Sequence, residues 1–238
     1  MSSQPIGVFD SGIGGLTVLK ELQKAMPNEN FIYLADQAHL PYGNKSKKEL
    51  IGITSTIMNY FLTKDVKLVV IACNTATANT IDALRKKYSL PIVGTIPAVK
   101  PAAENTKTGT IAVLSTPATA KSSALKKLIR QYCRGIKVLN IPCPDLVAQI
   151  EKGDLDSTKT KKLLEKYLKP VIDSNADHVV LGCTHYPLLK KQMQKILGGK
   201  VEIIDSGAAI AKRTKHILQR ENIENKTRGK TIYQTTLT

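Results

Sequence analysis

Residues 69–78 read VVIACNTATA, and residues 179–189 read VVLGCTHYPLL. In both stretches an apolar run of the kind that forms a buried strand ends at a cysteine. Small polar residues follow the cysteine at once, and they are residues that commonly open a helix. The chain holds four cysteines, and two of them, Cys73 and Cys183, share this context. The match indicates that one structural device is built twice.

The whole chain alternates short β-branched runs with longer helical windows. This alternation is typical of α/β proteins whose parallel sheets are covered on both faces. Eight runs predict strands, at 6–9, 31–35, 67–72, 91–96, 110–114, 136–141, 178–182 and 201–205. Windows between the runs predict helices, among them 16–26, 47–64, 77–88, 120–132 and 160–174.

The two halves of the chain also align with each other. IGVFDSGIGG at 6–15 aligns with IAVLSTPATA at 111–120, and VVIACNT at 69–75 aligns with VVLGCTH at 179–185. A nearly constant offset indicates duplication of an α/β unit. We therefore predict two doubly wound α/β domains with mostly parallel sheets, related by a pseudo-twofold axis, with the active site at their interface. The predicted domains are 1–98 plus 207–238, and 99–206.

Polar residues gather where the predicted strands end. In open α/β sheets, ligands bind beyond the carboxyl ends of the strands. The candidates at those ends are Asp10, Ser11, Cys73, Asn74, Thr75, Thr116, Cys183, Thr184 and His185. Asn74, Thr75 and Thr184 are natural ligands for a substrate carboxylate, and Asp10 and His185 are placed to relay a proton to a thiol.

Two thiols in matched positions favour proton transfer at a stereocentre. Cys183 with His185 could form a nucleophile–base pair, but that reading leaves Cys73 unexplained. A redox pair would usually be CxxC, and a metal site would need more ligands, so no metal is expected. Inversion of a carbon needs a base on one face and an acid on the other. Thiols, with reference pKa values of about 8.5, can serve as both.

The remaining cysteines and the bulk composition indicate little chemistry of their own. Cys133 and Cys143 lack the polar context and are interpreted as structural. The net charge is +16, but the lysines are dispersed and aromatic residues are 5% with no Trp, so a solvated surface is favoured over nucleic-acid binding. No apolar run is long enough to cross a bilayer, and no secretion signal is evident. A cytoplasmic location is therefore expected.

At these residues the chain resembles the glutamate racemases, members of the aspartate/glutamate racemase family. The resemblance rests on segments 6–22, 33–46, 70–78 and 180–189. It implies racemisation of L-glutamate to D-glutamate by two thiols, without a cofactor, to supply D-glutamate for peptidoglycan. The implied partner is the small-molecule substrate, and a homodimer is possible.

The resemblance also implies residue roles. Cys73 would act on the D-enantiomer and Cys183 on the L-enantiomer, assisted by Asp10, His185 and Glu151. The implied substrate-binding residues are Asp10, Ser11, Pro41, Tyr42, Gly43, Asn74, Thr75, Thr116, Thr184 and His185.

Two departures from the family pattern and two alternative functions remain open. Ser115 stands where the family usually has glycine, and the chain ends at YQTTLT, where members usually continue. An aspartate racemase with the same mechanism is one alternative. A basic nucleic-acid-binding protein on a racemase fold is the other.

Overall fold

The computed structural model describes residues 2–237, which fall into two compact units. Unit 1 comprises Met1–Thr95 and Gly207–Thr238, and unit 2 comprises Ile96–Ser206. The domain boundaries predicted from the sequence are 98/99 and 206/207.

The first part of unit 1 alternates strands and helices as predicted. Its elements are β1 Ile6–Asp10, α1 Leu16–Ala25, β2 Phe31–Ala35, α2 Lys47–Thr63, β3 Leu68–Ile71, α3 Asn74–Lys87 and β4 Ile92–Gly94. Helix α2 begins with a capping box, in which Ser46 Oγ accepts from the amide of Glu49 and the Glu49 carboxylate accepts from the amide of Ser46. The box satisfies two amide groups that would otherwise lack partners in the first turn.

Unit 2 repeats the alternation, and the chain then returns to unit 1. The elements of unit 2 are α4 Val99–Asn105, β5 Thr110–Ser115, α5 Pro117–Lys121, α6 Ser123–Tyr132, β6 Lys137–Pro142, α7 Leu146–Glu151, α8 Thr158–Asp173, β7 His178–Gly182, α9 Lys190–Leu197 and β8 Glu202–Ile204. The returning segment forms α10 Gly207–Arg220 and β9 Thr231–Thr235.

Both sheets are parallel and share one strand order. The sheet of unit 1 runs β4-β3-β1-β2-β9, and the sheet of unit 2 runs β6-β5-β7-β8. Read from its other edge, the second sheet is β8-β7-β5-β6, the order of the first four strands of unit 1. The predicted class of two parallel-sheet α/β domains is confirmed, and the common order supports the duplication inferred from the sequence.

All eight predicted strands form, with ends within two residues of the predicted ones. The prediction missed β9, which pairs in parallel with β2 from Phe31↔Thr231 to Ala35↔Thr235. The segment TIYQT carries β-branched and aromatic residues, a signal that favours a strand. Its outer edge has no partner strand in the described part of the chain, and Ile232 and Tyr233 are exposed.

Helices cover both faces of the sheet in unit 1, which explains why its strands are continuously apolar. Val8 and Val70 pack in the cluster with α1 and α10, whereas Phe9 and Ile71 pack in the cluster with α2 and α3. Side chains alternate between faces along a strand, so each strand needs apolar residues at successive positions. Gly7 is required here, because a Cβ at this position would lie 2.9 Å from the ring of Phe61.

Unit 2 has its own hydrophobic core, which also forms between strands and helices. Ile111 and Val113 of β5 pack with Val180 of β7, and the adjacent helices contribute Val99 and Leu125. Within residues 2–237, no helix combines the length and the apolar character that a membrane span requires.

One buried ion pair ties the start of β3 to segments far away in sequence. Lys67 Nζ lies 2.7 Å from Glu29 Oε2, and both side chains are at most 3% exposed. Lys67 also donates to the carbonyls of Ser2 and Ile223, and Glu29 Oε1 accepts from the amide of Asn225. The pair therefore holds both terminal segments of unit 1 against the sheet.

Removing the lysine of this pair should destabilise the protein strongly. Lys67→Met keeps most of the apolar stem but leaves the Glu29 carboxylate buried without a countercharge, so we expect a loss of about 3–5 kcal/mol in the free energy of unfolding. Lys169→Met, which breaks the exposed pair with Asp173, should cost less than about 1 kcal/mol. Urea unfolding of both variants measures the difference, and equal losses would contradict the role assigned to Lys67.

Candidate active site

Cys73 lies at the junction of β3 and α3. The residue is the N-cap of α3, and its Sγ accepts a hydrogen bond from the amide of Ala76 at 3.5 Å. The side chain is 5% exposed. The amides and dipole at a helix N-terminus favour negative charge nearby.

The loop after β1 supplies the neighbours of Cys73. The pairing of Phe9 with Ile71 in the sheet brings this loop beside the end of β3. Cys73 Sγ lies 4.0 Å from Ser11 Oγ. Asp10 is fully buried, and its Oδ2 accepts from the amide of Gly12 at 3.1 Å. A carboxylate and a hydroxyl therefore share the strand edge with the thiol.

Gly15 of DSGIGG allows this loop to pack closely. A Cβ at Gly15 would lie 2.4 Å from Asp10 Cβ and 2.7 Å from the hydroxyl oxygen of Tyr33. The same tyrosine donates to the carbonyl of Gly12 at 2.6 Å. The glycine at position 15 thus serves to hold Asp10 in place.

Tyr42 follows β2 and is held by a carboxylate that sequence reasoning missed. Its hydroxyl donates to Asp36 Oδ2 at 2.6 Å, and both side chains are buried. Burial, reinforced by the bond to Asp36, raises the pKa of Tyr42 far above its usual value, so the phenol stays protonated. Asp36 directly follows the end of β2, as Asp10 ends β1. Its place at a strand end could have identified it as a candidate site residue from the sequence. Pro41 and Gly43 flank Tyr42. Pro41 is exposed, and Gly43 is half-buried.

Two predicted carboxylate ligands lie in the first turn of α3. Asn74 and Thr75 are 4% and 3% exposed. Asn74 Nδ2 donates to the carbonyl of Thr95 at 3.5 Å, a long contact. Their place beside the first amides of the helix suits recognition of a carboxylate.

Cys183 occupies the matched position in unit 2, directly after β7, but its surroundings differ. It is 6% exposed, and its Sγ lies 3.7 Å from His185 Nδ1. The expectation that a helix opens directly after this cysteine is wrong. A short 3-10 turn spans Tyr186–Leu189, and α9 begins only at Lys190. The imidazole of His185 therefore lies beside this thiol, where Cys73 has the first turn of a helix.

His185 connects the thiol to a carboxylate. His185 Nε2 lies 2.5 Å from Glu151 Oε1, and the two side chains are 2% and 12% exposed. Glu151 ends α7, a position that alone suggests a surface residue. With Nε2 held by the carboxylate, Nδ1 faces the sulfur of Cys183. The arrangement is a thiol–imidazole–carboxylate chain that can orient the ring and stabilise its positive charge.

The loop after β5 carries the other predicted residues of unit 2. Thr116 is the N-cap of α5, and its Oγ1 accepts from the amide of Thr119 at 3.3 Å. Thr116 and Thr184 are both buried.

Ser115 occupies its place in β5 without strain. It pairs with Gly182 across the two strands, and a Cβ at Gly182 would lie only 3.0 Å from Ser115 Cβ. The backbone of Ser115 does not have positive φ. The serine therefore fits because the residue facing it is glycine.

The other two cysteines, Cys133 and Cys143, are also buried. Burial, followed by the nearby Cys183, raises the pKa of Cys143 to about 12. Burial also raises the pKa of Cys133. Both thiols therefore stay protonated at neutral pH. In the described part of the chain, no three His, Cys, Asp or Glu side chains are placed to hold a metal ion.

Proteins of known sequence are similar to this chain over most of its length. Residues 6–214 match the family described as Asp/Glu/Hydantoin racemase. The chain is 46% identical over 223 residues to the glutamate racemase of a Roseiflexus species, covering 93% of this chain and 82% of the relative. It is 41% identical over 225 residues to that of Herpetosiphon aurantiacus, covering 94% and 89%.

Solved structures agree with these sequence relatives. The glutamate racemase of Escherichia coli, in complex with L-glutamate and the activator UDP-MurNAc-ala, has a TM-score of 0.88 at 33% identity, over 99% of this chain and 90% of that one. The Francisella tularensis enzyme, in complex with D-glutamate, has a TM-score of 0.87 at 33% identity, over 100% and 90%. The matched residues span most of the chain and include both units, so the chain belongs to the Asp/Glu/hydantoin racemase family.

Proposed function

We propose that this protein interconverts L- and D-glutamate with two cysteine thiols, one of which removes the α-proton while the other donates a proton to the opposite face of the α-carbon. The observation that carries the proposal is the equivalence of Cys73 and Cys183. Each follows the third strand of its own sheet, β3 and β7, in two sheets of the same strand order. Each is buried beside groups that can assist proton transfer.

The comparisons support glutamate as the substrate. Both relatives described above are glutamate racemases at 41–46% identity over more than nine-tenths of this chain. The two similar solved structures hold L-glutamate and D-glutamate respectively. A single type of site that accepts both enantiomers is what a racemase requires.

In the proposed mechanism the thiols exchange roles with the direction of the reaction. The Cys183 thiolate removes the α-proton of L-glutamate, and the electron pair of the broken C–H bond stays on the α-carbon. The Cys73 thiol then donates its proton to the opposite face, which gives D-glutamate and a Cys73 thiolate. The reverse reaction begins at Cys73. No oxidant, reductant or cofactor is consumed, since one proton leaves the substrate and one returns.

The supporting residues differ between the thiols. On the Cys183 side, His185 takes the thiol proton through Nδ1, while Glu151 orients the ring and stabilises its charge. On the Cys73 side, the α3 amides stabilise the thiolate, and Ser11 and Asp10 assist its protonation.

The proposed substrate-binding residues lie at the same strand ends as the thiols. The α-carboxylate binds at amides and hydroxyls beside Asn74, Thr75 and Thr184, and the Tyr42 hydroxyl and Thr116 complete the polar lining. An α-proton is far less acidic than a thiol, so these preorganised donors must supply most of the stabilisation of the carbanion.

The proposed product, D-glutamate, also indicates a biological role. The D-glutamate produced would supply peptidoglycan synthesis, and the protein would work in the cytoplasm. The assembly into a homodimer remains a prediction.

Replacement of either proposed thiol should stop racemisation. We expect Cys73→Ser and Cys183→Ser each to lower kcat by about 10²–10⁴-fold, because a hydroxyl is a much weaker acid than a thiol. Circular dichroism of L-glutamate and of D-glutamate, with no added cofactor, follows the reaction. Cys133→Ala, which removes a buried thiol outside the site, should stay within about twofold of wild type.

The same assay separates the alternatives. Decay of the L-aspartate signal with L-glutamate unchanged would replace the substrate but keep the mechanism. Wild type inactive on both amino acids, together with DNA binding that weakens steeply with salt, would support the nucleic-acid alternative instead. Full activity in either serine variant would rule out the two-thiol mechanism.

Glu151 should act through His185 and not through substrate binding. Glu151→Gln keeps the shape of the side chain but removes the charge that stabilises the imidazolium, so we expect kcat to fall by about 10²-fold with KM changed less than threefold. Glu165→Gln, a substitution of an exposed glutamate on α8, is the matched control and should behave as wild type. A rise in KM at unchanged kcat would instead place Glu151 in substrate binding.

A further inference from the structure

A groove of about 690 Å³ lies in unit 2, at the amino ends of β7 and β8. His178 begins β7, Glu202 begins β8, and both residues line the groove. Cys183 follows the opposite end of β7, so the groove is separate from the candidate active site. Its volume lies within the range of small-molecule sites, about 300–1,000 Å³.

The imidazole of His178 is oriented by the carboxylate of Asp177. His178 Nδ1 lies 2.8 Å from Asp177 Oδ1. The carboxylate also accepts from Thr106 Oγ1 and from the amides of Lys107 and Thr108. Burial acts to raise the pKa of Asp177, but these hydrogen bonds outweigh burial and hold the pKa well below its usual value. An ionised carboxylate only accepts, so Nδ1 of His178 carries a proton.

The other ring nitrogen of His178 has no hydrogen-bond partner within residues 2–237. This atom, Nε2, is buried, and the side chain is only 6% exposed. Glu202 Oε2 lies 3.4 Å away, beyond the usual length of an N–H···O bond. Lone pairs on both atoms would repel each other, so the contact is attractive only when Nε2 is protonated. The protonated Nε2 is then a buried donor that requires an acceptor.

Three lysines give the groove a positive lining. They are Lys107, Lys190 and Lys200, and all three are exposed. Among the described residues, Lys107 and Lys200 form no ion pair, and Lys190 makes only a 4.0 Å contact with Asp205. Lysine charges without countercharges attract anions to the groove.

The carboxylates of the lining do not neutralise these lysines. Asp177 is already bound by the four donors described above. Glu202 is 68% exposed, so its side chain can rotate into solvent at little cost in packing. An anion in place of the Glu202 carboxylate would meet the Nε2 proton of His178 and the three ammonium groups.

We propose that this groove binds a phosphate group, free or as a phosphate monoester, which accepts from His178 Nε2 and displaces the carboxylate of Glu202. A phosphate dianion matches several positive groups better than a monovalent anion does. The groove is larger than one phosphate group, so the organic part of a small monoester also fits. No residue of the candidate active site takes part, so the site does not depend on the proposed racemisation.

NMR of labelled histidine side chains tests the binding, because the chain has only four histidines. Inorganic phosphate and phenyl phosphate are titrated separately, with a metal chelator present and at constant ionic strength. We expect both to shift the His178 signals in a saturable manner, and potassium chloride at the same ionic strength to leave them unchanged. His216, exposed on α10, is the internal control.

The two probes also separate the two forms of the ligand. Tighter binding of phenyl phosphate would assign the groove to a monoester, and equal binding would assign it to the free ion. Saturable shifts confined to His185 would place the anion in the candidate active site and overturn the proposal.

Removal of the competing charge should strengthen binding. Glu202→Gln removes the carboxylate that faces His178 Nε2, so we expect phosphate to bind at least about threefold more tightly. Glu165→Gln removes the same charge from an exposed position of α8 outside the groove and should leave binding unchanged. Weaker binding to Glu202→Gln would contradict the displacement of this carboxylate.

Removal of the lysine charges should weaken binding. We expect Lys107→Gln and Lys200→Gln each to weaken phosphate at least about threefold, and Lys162→Gln, at an exposed position of α8, to match wild type. Equal affinities in all three variants would overturn the proposed site. A response of His178 to Zn²⁺ that is lost in Glu202→Gln, with no response to phosphate, would assign the groove to a cation instead.

Discussion

The pairing between the first and third strands of each sheet is the constraint on which the candidate site depends. Phe9 pairs with Ile71 in unit 1, and Ser115 pairs with Gly182 in unit 2. Parallel strands keep their carboxyl ends at one edge, so the loops after the first and third strands lie side by side. Residues some sixty positions apart thereby become neighbours of one thiol. A shift of either register by one residue would turn these side chains to the opposite face.

The two units share a strand order but support their thiols differently. Cys73 caps a full α-helix, and the amide of Ala76 in the first turn donates to its sulfur. Cys183 precedes only a short 3-10 turn, and the imidazole of His185, backed by Glu151, takes the place of the helix. Each arrangement places a polar group beside a buried sulfur atom. The common strand order puts the two sulfur atoms in matched positions, and the local structure around them differs.

Close packing holds the polar groups of the site in place. Asp10 is fully buried against Gly15, where any Cβ would collide with it. Ser115 fits because Gly182 faces it. Burial strengthens electrostatic interactions by lowering the local dielectric, but it also requires that each polar atom keep a partner. The glycines thus serve the chemistry by allowing polar side chains to be buried with their hydrogen bonds intact.

The eight strands, the parallel sheets and the repeated cysteine could be predicted from the sequence, because hydrophobic periodicity and residue spacing are local properties. It did not reveal β9, since an edge strand buries too little to show a continuous apolar run. The contact of Glu151 with His185 and the bonds that Asp36 makes to Tyr42 and Thr236 were decided only by tertiary structure. They join residues brought together by sheet order and helix packing, and no pattern along the chain encodes a distance between segments that far apart.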